Sequence, residues 1–351
     1  TRSCLKSRGL GDVYKRQLVS NAVAGLAWSQ LQQGQDITIG ALPLFHSYGM
    51  TSVMNMAVAG ALTMVLIPDP RDILHIMGSI SKHRATFYPA VPTMYVAINN
   101  HPQVKEFDLT SIRACLSGAA PLPAEVQVKF QDLTGCTLVE AYGLTETSPA
   151  THVNPLGRNR IGYIGLPWPD TNARIVDVDT GEQELPTGEI GELILQGPQV
   201  MKGYWKQPTE TANVLREHPQ LGPGLWLHTG DIARMDEEGY FQIVDRKKDM
   251  IICGGFNVYP RDVEEVLFKH PAVKEAAVIG SPDEYRGETV QAFVVLADDS
   301  SATEEELIAF CREHLASYKV PSSIGFRSNL PKSAVGKVLR RELARPPADQ
   351  G

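Results

Sequence analysis

The chain has 351 residues, 43% hydrophobic and 21% charged, which suits a soluble protein with a sizeable core and two or three domains. A net charge of −7 argues against a general nucleic-acid binder, since only residues 1–17 and 332–345 are locally basic. Cys4, Cys115, Cys136, Cys253 and Cys311 are widely spaced and form no C-x-x-C, which argues against a disulfide framework or zinc site and for a reducing compartment.

Residues 1–17 hold five Lys/Arg and one acid. They lack amphipathic spacing and are expected to be a non-native or disordered extension. Leu18–Leu31 has helical character and Ile37–Leu42 reads as a strand. Residues 47–68 carry no charge, but Asn55, Gly60 and Thr63 interrupt the run. A buried helix followed by a buried strand, Leu62 to Ile67, explains it better than a membrane span. Asp72–His83 places Ile73, Ile76, Met77 and Ile80 on one helical face. A strand at Thr86–Tyr88 follows, then a helix from Pro92 to Asn99, a strand at Ile112–Leu116, a helix at Pro123–Leu133 and a strand at Thr137–Glu140. Such alternation predicts an α/β fold with a mainly parallel sheet covered by helices.

From about residue 160 to 244 the texture becomes β-rich, with Gly, Pro and Asp turns such as Asp179-Thr180-Gly181. After Asp245, helix Pro260–Lys269, strands Val273–Gly280 and Val290–Leu296, and helix Thr303–Ala316 form a small α+β unit. Thr303 and Glu306 have the spacing of a capping box. The expected division is 1–17 extension, 18–244 partial large domain with 160–244 as its β subdomain, and 245–351 small C-terminal domain.

The chemistry concentrates in two segments about twenty residues apart, a strand-helix-strand interval. They are Ser117-Gly118-Ala119-Ala120-Pro121-Leu122 and Val139-Glu140-Ala141-Tyr142-Gly143-Leu144-Thr145-Glu146-Thr147. Both are expected beyond strand C-termini, where open α/β sheets bind ligands. Small residues admit a flat ring, Tyr142 offers an aromatic face, Thr145 a hydroxyl for phosphate, and Glu146 a carboxylate for Mg2+.

With these segments the chain resembles the adenylate-forming superfamily, which includes acyl-CoA synthetases, firefly luciferase and the adenylation domains of peptide synthetases. The resemblance runs from Leu18 to about Leu343. Further ordered matches begin at Leu42-Pro43-Leu44-Phe45-His46 and Gly191-Glu192-Leu193 through Gly203-Tyr204-Trp205. They continue with His228-Thr229-Gly230-Asp231, Asp245-Arg246-Lys247-Lys248-Asp249, Gly254-Gly255-Phe256-Asn257 and Pro331-Lys332-Ser333-Ala334-Val335-Gly336-Lys337. Within the superfamily the chain is most similar to bacterial medium- to long-chain fatty-acyl-CoA ligases.

The resemblance implies ATP, Mg2+ and CoA as cofactor and co-substrates and a fatty acid as substrate. Asp231 and Arg246 would hold the ribose. Tyr142 would stack on adenine, walled by Gly118, Ala119, Glu140, Ala141 and Gly143. Thr145 and Glu146 would serve the α-phosphate and Mg2+. Lys337 would offset charge as the carboxylate attacks phosphorus. Asp245 would be the hinge between two half-reactions, and Gly254 and Gly255 would line a pantetheine tunnel. His46, as pocket wall or gate, would join Tyr88, Val91 and Ser117 around the acyl group. A lone His in such a place is as readily a satisfied core histidine. Singly, Gly254-Gly255 is an ordinary β-turn, and a lone Lys or Arg is a solvated charge.

One family segment is absent. The Ser/Thr/Gly-rich loop ending in Lys-Gly, which cradles the outer phosphates, is replaced by residues 1–17. The expectation is a truncated product of a ligase gene, impaired on its own. Other readings are an aryl-CoA or fatty-acyl-AMP ligase, a luciferase-like oxidase, or a non-catalytic nucleotide-binding remnant. The cysteine usage suits a cytoplasmic protein, and the long-chain acyl substrate that the resemblance implies, which partitions into bilayers, allows a peripheral contact at the inner membrane face. The sequence is silent on oligomeric state.

Overall fold

Residues 15–283, 285–297, 300–333 and 338–343 are described by the structure, a computed structural model. The chain divides into two units, Thr1–Thr229 with Ala233–Ile243, and Gly230–Ile232 with Val244–Gly351.

The first unit is built on a seven-stranded sheet. In chain order its strands are β1 (Ile37–Gly40), β2 (Thr63–Leu66), β3 (Phe87–Ala90), β4 (Ala114–Ser117), β5 (Thr137–Gly143), β6 (Ala150–Val153) and β7 (Leu166–Pro167). Their spatial order is β2-β1-β3-β4-β5-β6-β7. The strands from β2 to β5 are parallel, and β6 and β7 continue antiparallel. Every residue of β3 and β4 is buried, as interior parallel strands covered on both faces must be. The fold is α/β with a mixed main sheet.

Helices between the strands follow their sequence signals. Helix Ile73–His83 starts where the Asp72 carboxylate accepts the His75 N–H at 2.9 Å. It buries Ile76, Met77 and Ile80 completely. Helix Ala124–Thr134 stops at Gly135, whose φ of 72° a glycine adopts freely. Residues 47–60 are helical as expected, with a π-helical stretch at Met50–Asn55. The expected buried strand after it needs correction. Strand β2 is the sheet edge, and Met64 and Leu66 are 37% and 55% exposed. Among the described residues no helix is long and apolar enough to cross a membrane.

The second sheet contains β8 (Asn172–Val176), β9 (Gly191–Gln196), β10 (Leu215–Glu217), β11 (Leu225–Met235) and β12 (Phe241–Arg246). Its order is β10-β11-β9-β8, with β12 on β11. The turn read at Asp179-Thr180-Gly181 is organised by Asp177, whose carboxylate accepts the N–H groups of Thr180, Glu182 and Gln183 at 2.7, 3.1 and 2.9 Å. Those bonds hold Asp177 well below the usual carboxylate range.

The second unit holds β13 (Ile251–Cys253), β14 (Phe256–Val258), β15 (Val273–Asp283), β16 (Gly287–Leu296) and β17 (Ser323–Phe326). All its pairings are antiparallel except β16 with β17. Side chains of β16 alternate: Val290, Ala292 and Val294 enter a core with Val263, Leu267, Leu307 and Cys311, while Phe293 and Val295 enter a separate one. Helix Glu304–His314 opens on the expected capping box, with Thr303 and Glu306 exchanging bonds of 3.2 and 2.8 Å.

Candidate functional site

In the first unit, β4 and β5 are parallel neighbours with Ser117 opposite Glu140. Gly118-Ala119 leave the sheet at the end of β4, whereas β5 runs on through Ala141-Tyr142-Gly143, paired with β6, so that of the second segment only the part from Leu144 lies beyond the strand end, contrary to expectation. The C-terminal end of β4 beside β5 is the place where open α/β sheets bind ligands, and the tertiary structure creates it from residues more than twenty apart.

Each segment is shaped by close approach. An added Cβ on Gly118 would lie 3.1 Å from the Tyr48 ring. The Tyr48 hydroxyl donates to the Leu116 carbonyl at 2.6 Å and lies 3.2 Å from that of Ala90, joining the ends of β3 and β4. Ala119 sits at φ 70°, a left-handed conformation that a non-glycine residue adopts only when its surroundings impose it. Gly143 has no alternative, because a Cβ there would stand 1.9 Å from the Pro149 carbonyl oxygen. Glu140 is buried, with one carboxylate oxygen 3.4 Å from the Leu122 N–H. Tyr142 is half-buried, its ring edge-on to His152 at 5.9 Å.

After Gly143 the chain enters the short 3-10 helix Thr145–Thr147, where Thr147 Oγ1 accepts the Leu144 N–H at 3.0 Å. Thr145 Oγ1 lies 3.5 Å from Ser47 Oγ, so the His46-Ser47 segment borders the same place. The Glu146 backbone carbonyl accepts the Met201 N–H at 2.8 Å, and its Oε1 accepts the Tyr204 hydroxyl at 2.9 Å. The sequence reading matched Gly203-Tyr204-Trp205 to a family but did not foresee this contact, whose partners are 58 residues apart.

His46 caps the helix that follows it, its Nδ1 accepting the Tyr48 N–H at 3.2 Å. Burial lowers its pKa, so the neutral imidazole is favoured. Tyr88 is fully enclosed, edge-on to Tyr95 at 5.5 Å, and its ring lies in the core rather than on an open wall. Val91 and Ser117 are also buried. Burial, reinforced by the neighbouring Cys115 thiol, pushes the Tyr88 hydroxyl far above the ordinary phenol range.

In the second unit, Asp231 on β11 is 3% exposed and its Oδ1 meets Arg246 Nε on β12 at 3.1 Å. Sheet pairing thus joins two residues that the sequence could only associate by resemblance. Asp245 is enclosed and accepts the backbone N–H groups of Arg246 and Arg261 at 2.7 and 2.9 Å. Burial raises its pKa to about 6, outweighing Arg340 and the two N–H groups. Arg340 lies 3.9 Å from Asp245 but makes two short bonds to Glu264, at 2.7 and 2.8 Å. Gly254 and Gly255 have φ of 59° and 83° and join β13 to β14 with Cys253 opposite Phe256. They form the two-residue hairpin that needs positive φ at both positions.

Lys337 lies outside the described residues. Next to it, Leu339 N–H donates to the Pro331 carbonyl at 2.8 Å and Lys332 bridges to Val338, so the flanks of its motif are paired. No cluster of three or more His, Cys, Asp or Glu side chains able to hold a metal occurs among the described residues. A Mg2+ ion shared between one carboxylate and substrate phosphates needs none. Glu146 fits that requirement, because its second carboxylate oxygen carries no bond among the described residues.

Residues 13–205 match the family described as AMP-binding enzyme, and residues 262–337 match the AMP-binding enzyme C-terminal domain. A long-chain-fatty-acid–CoA ligase of Bacillus subtilis is 51% identical over 332 residues, covering 93% of this chain and 57% of that protein. One from Yersinia pestis is 45% identical, covering 89% and 54%. A feruloyl-CoA synthase from an Amycolatopsis species is 40% identical, covering 93% and 65%. Among solved structures, ATP-bound MatB from Rhodopseudomonas palustris superposes with a TM-score of 0.88 at 33% identity, covering 97% of this chain and 66% of that one. The anthranilate CoA ligase AuaEII with anthranoyl-AMP gives a TM-score of 0.85 at 30% identity, covering 93% and 62%. The chain spans little more than half the length of the long-chain-fatty-acid–CoA ligases it matches.

Proposed function

This chain belongs to the AMP-binding enzyme family, and from that premise we propose that it is part of an ATP-dependent fatty-acyl-CoA ligase. In the first half-reaction the fatty-acid carboxylate attacks the α-phosphorus of ATP. A P–O bond forms, pyrophosphate leaves, and acyl-AMP remains. In the second, the CoA sulfur attacks the acyl carbon, the bond to AMP breaks, and the thiol proton passes to solvent.

The observation that carries the reading is the register of β4 on β5, with Ser117 opposite Glu140, from which Gly118-Ala119 and Ala141-Tyr142-Gly143 continue. There Tyr142 takes the adenine ring, with Gly118, Ala119, Glu140 and Ala141 around it. Thr145 donates to the α-phosphate. Mg2+, when bound, offsets phosphate charge, and Glu146 is the residue that holds it. Asp231 accepts both ribose hydroxyls, and Arg246 Nε, 3.1 Å from its Oδ1, holds the carboxylate in place. Lys337 supplies the cation that lets two anions meet. Gly254-Gly255 offers bare backbone to the pantetheine arm, and Asp245 is the pivot. His46 is a wall rather than a base, because its Nδ1 is occupied by a backbone N–H. The names of the relatives at 51% and 45% identity support a long acyl chain.

Calorimetry with AMP tests the nucleotide site. Asp231→Ala removes two charge-assisted hydrogen bonds, each worth about 1.5–3 kcal/mol, so AMP affinity is expected to fall by about 100-fold or more. Unchanged affinity refutes the ribose role. ATP–pyrophosphate exchange driven by hexadecanoate but not by ferulate is expected, and the reverse preference refutes the fatty-acid assignment.

A further inference from the structure

The contact between Tyr204 and Glu146 is more than loop packing. Two bonds and a steric stop beside it hold Tyr204 in place. Its hydroxyl donates to Glu146 Oε1 at 2.9 Å. Its own N–H donates to Thr211 Oγ1 at 2.9 Å, and Thr211 is anchored in turn on the Gln207 carbonyl at 2.8 Å. The preceding Gly203 has φ 148°, and a Cβ there would stand 2.7 Å from Thr211 Cγ2. Only glycine lets the chain pass so close to Thr211. Met201, three residues earlier, pins the Glu146 carbonyl at 2.8 Å. The half-buried Tyr204 packs, as Tyr142 and Leu144 do, against the core that includes Met201 and Leu215. The hydroxyl is therefore presented to the carboxylate from a fixed support.

We propose that Tyr204 is a positioning residue for Glu146, occupying one carboxylate oxygen so that the other meets the divalent cation of a metal–nucleotide complex singly. This rests on the reading of Glu146 given above. The consequence is selectivity. Mg2+ and Mn2+ accept a single carboxylate oxygen in near-octahedral geometry, whereas Ca2+ is larger and readily takes both oxygens. With Oε1 engaged by Tyr204, the two-oxygen mode is disfavoured and the smaller cation is selected. Partners of this kind commonly change metal affinity by about 10–100-fold when removed.

The test is Mn2+ retention by the whole chain in the presence of ATP, followed by the electron paramagnetic resonance of free Mn2+, with Ca2+ as competitor. Tyr204→Phe removes only the hydroxyl, and Glu146→Gln is the reference. The expected result is an affinity for Mn2+ about 10-fold weaker in Tyr204→Phe, with Ca2+ displacing Mn2+ more readily than in the parent chain. Equal losses for Mn2+ and Ca2+ overturn the proposal, since a variant that is merely loosened or partly unfolded weakens both alike. So does a Tyr204→Phe chain that matches the parent while Glu146→Gln loses Mn2+, and in that case the role of Glu146 stands. If Glu146→Gln matches the parent, or the parent itself retains no Mn2+, the reading of Glu146 falls and the proposal with it.

Discussion

Replacing Asp245 by Asn should change how the stability of the second unit depends on pH. Asp245 is enclosed, and burial, outweighing Arg340 and two backbone N–H groups, raises its pKa to about 6. The charges that act on it are Arg340 of the short helix Arg340–Leu343, which also meets Asp249, and Glu264 of helix Pro260–Phe268, while Arg246 and Arg261 reach it through their backbone N–H groups. Arg340 offsets burial only partly, because its shortest bonds go to Glu264. In the unfolded chain an aspartate titrates near 3.9. Between about pH 4 and 6 the folded unit therefore binds more protons than the unfolded one, and its stability falls as pH rises. A gap of about two pK units corresponds to roughly 3 kcal/mol, lost by about pH 7. Asn cannot ionise, so this loss disappears in Asp245→Asn. The absolute stability of the variant is a poor guide, because the new amide cannot accept both N–H groups that the carboxylate accepts. The difference between variant and parent isolates the effect from the other carboxylates. Hydrogen exchange of β15 and β16 amides, corrected for intrinsic rate, measures it. The variant should gain about 3 kcal/mol on the parent from about pH 4 to 7. A difference that stays constant across that range refutes the reasoning.

Two further substitutions probe local architecture. Thr303→Ala breaks the capping box of helix Glu304–His314 and should cost about 1 kcal/mol, read as reduced protection of that helix in hydrogen exchange. Gly143→Ala forces a Cβ to 1.9 Å from the Pro149 carbonyl. It should destabilise the first unit by on the order of 3 kcal/mol, measured by urea unfolding followed through its tryptophans, and an unchanged midpoint contradicts the geometry.

Much of the fold was legible because the relevant forces act over short stretches of chain. The apolar faces of helix Ile73–His83, the Thr303 capping box and the turn before Gly181 depend on neighbours within a few residues. Strand-helix alternation implied parallel pairing, and the register of β4 on β5 agrees with it. Burial was less legible. The run from Leu62 to Ile67 is as apolar as an interior strand, but its place at the sheet edge leaves Leu66 55% exposed. Tyr88 reads as a pocket residue, but its complete burial beside Tyr95 puts its ring in the core. The π-helical stretch at Met50–Asn55 had no signal that single-residue preferences could reveal.

The sequence by itself determined the family, the order of its motifs and the residue types available for nucleotide chemistry. It could not say which of those residues touch. Glu146 meets Tyr204 across 58 positions, Asp231 meets Arg246 across neighbouring strands, and Arg340 turns to Glu264 across 76. Strand order, register and the space left by glycines such as Gly143 and Gly203 decided those pairs. The physical reason is range. Propensity and periodicity act between residues close in sequence, whereas the partner of a carboxylate follows from how whole elements pack.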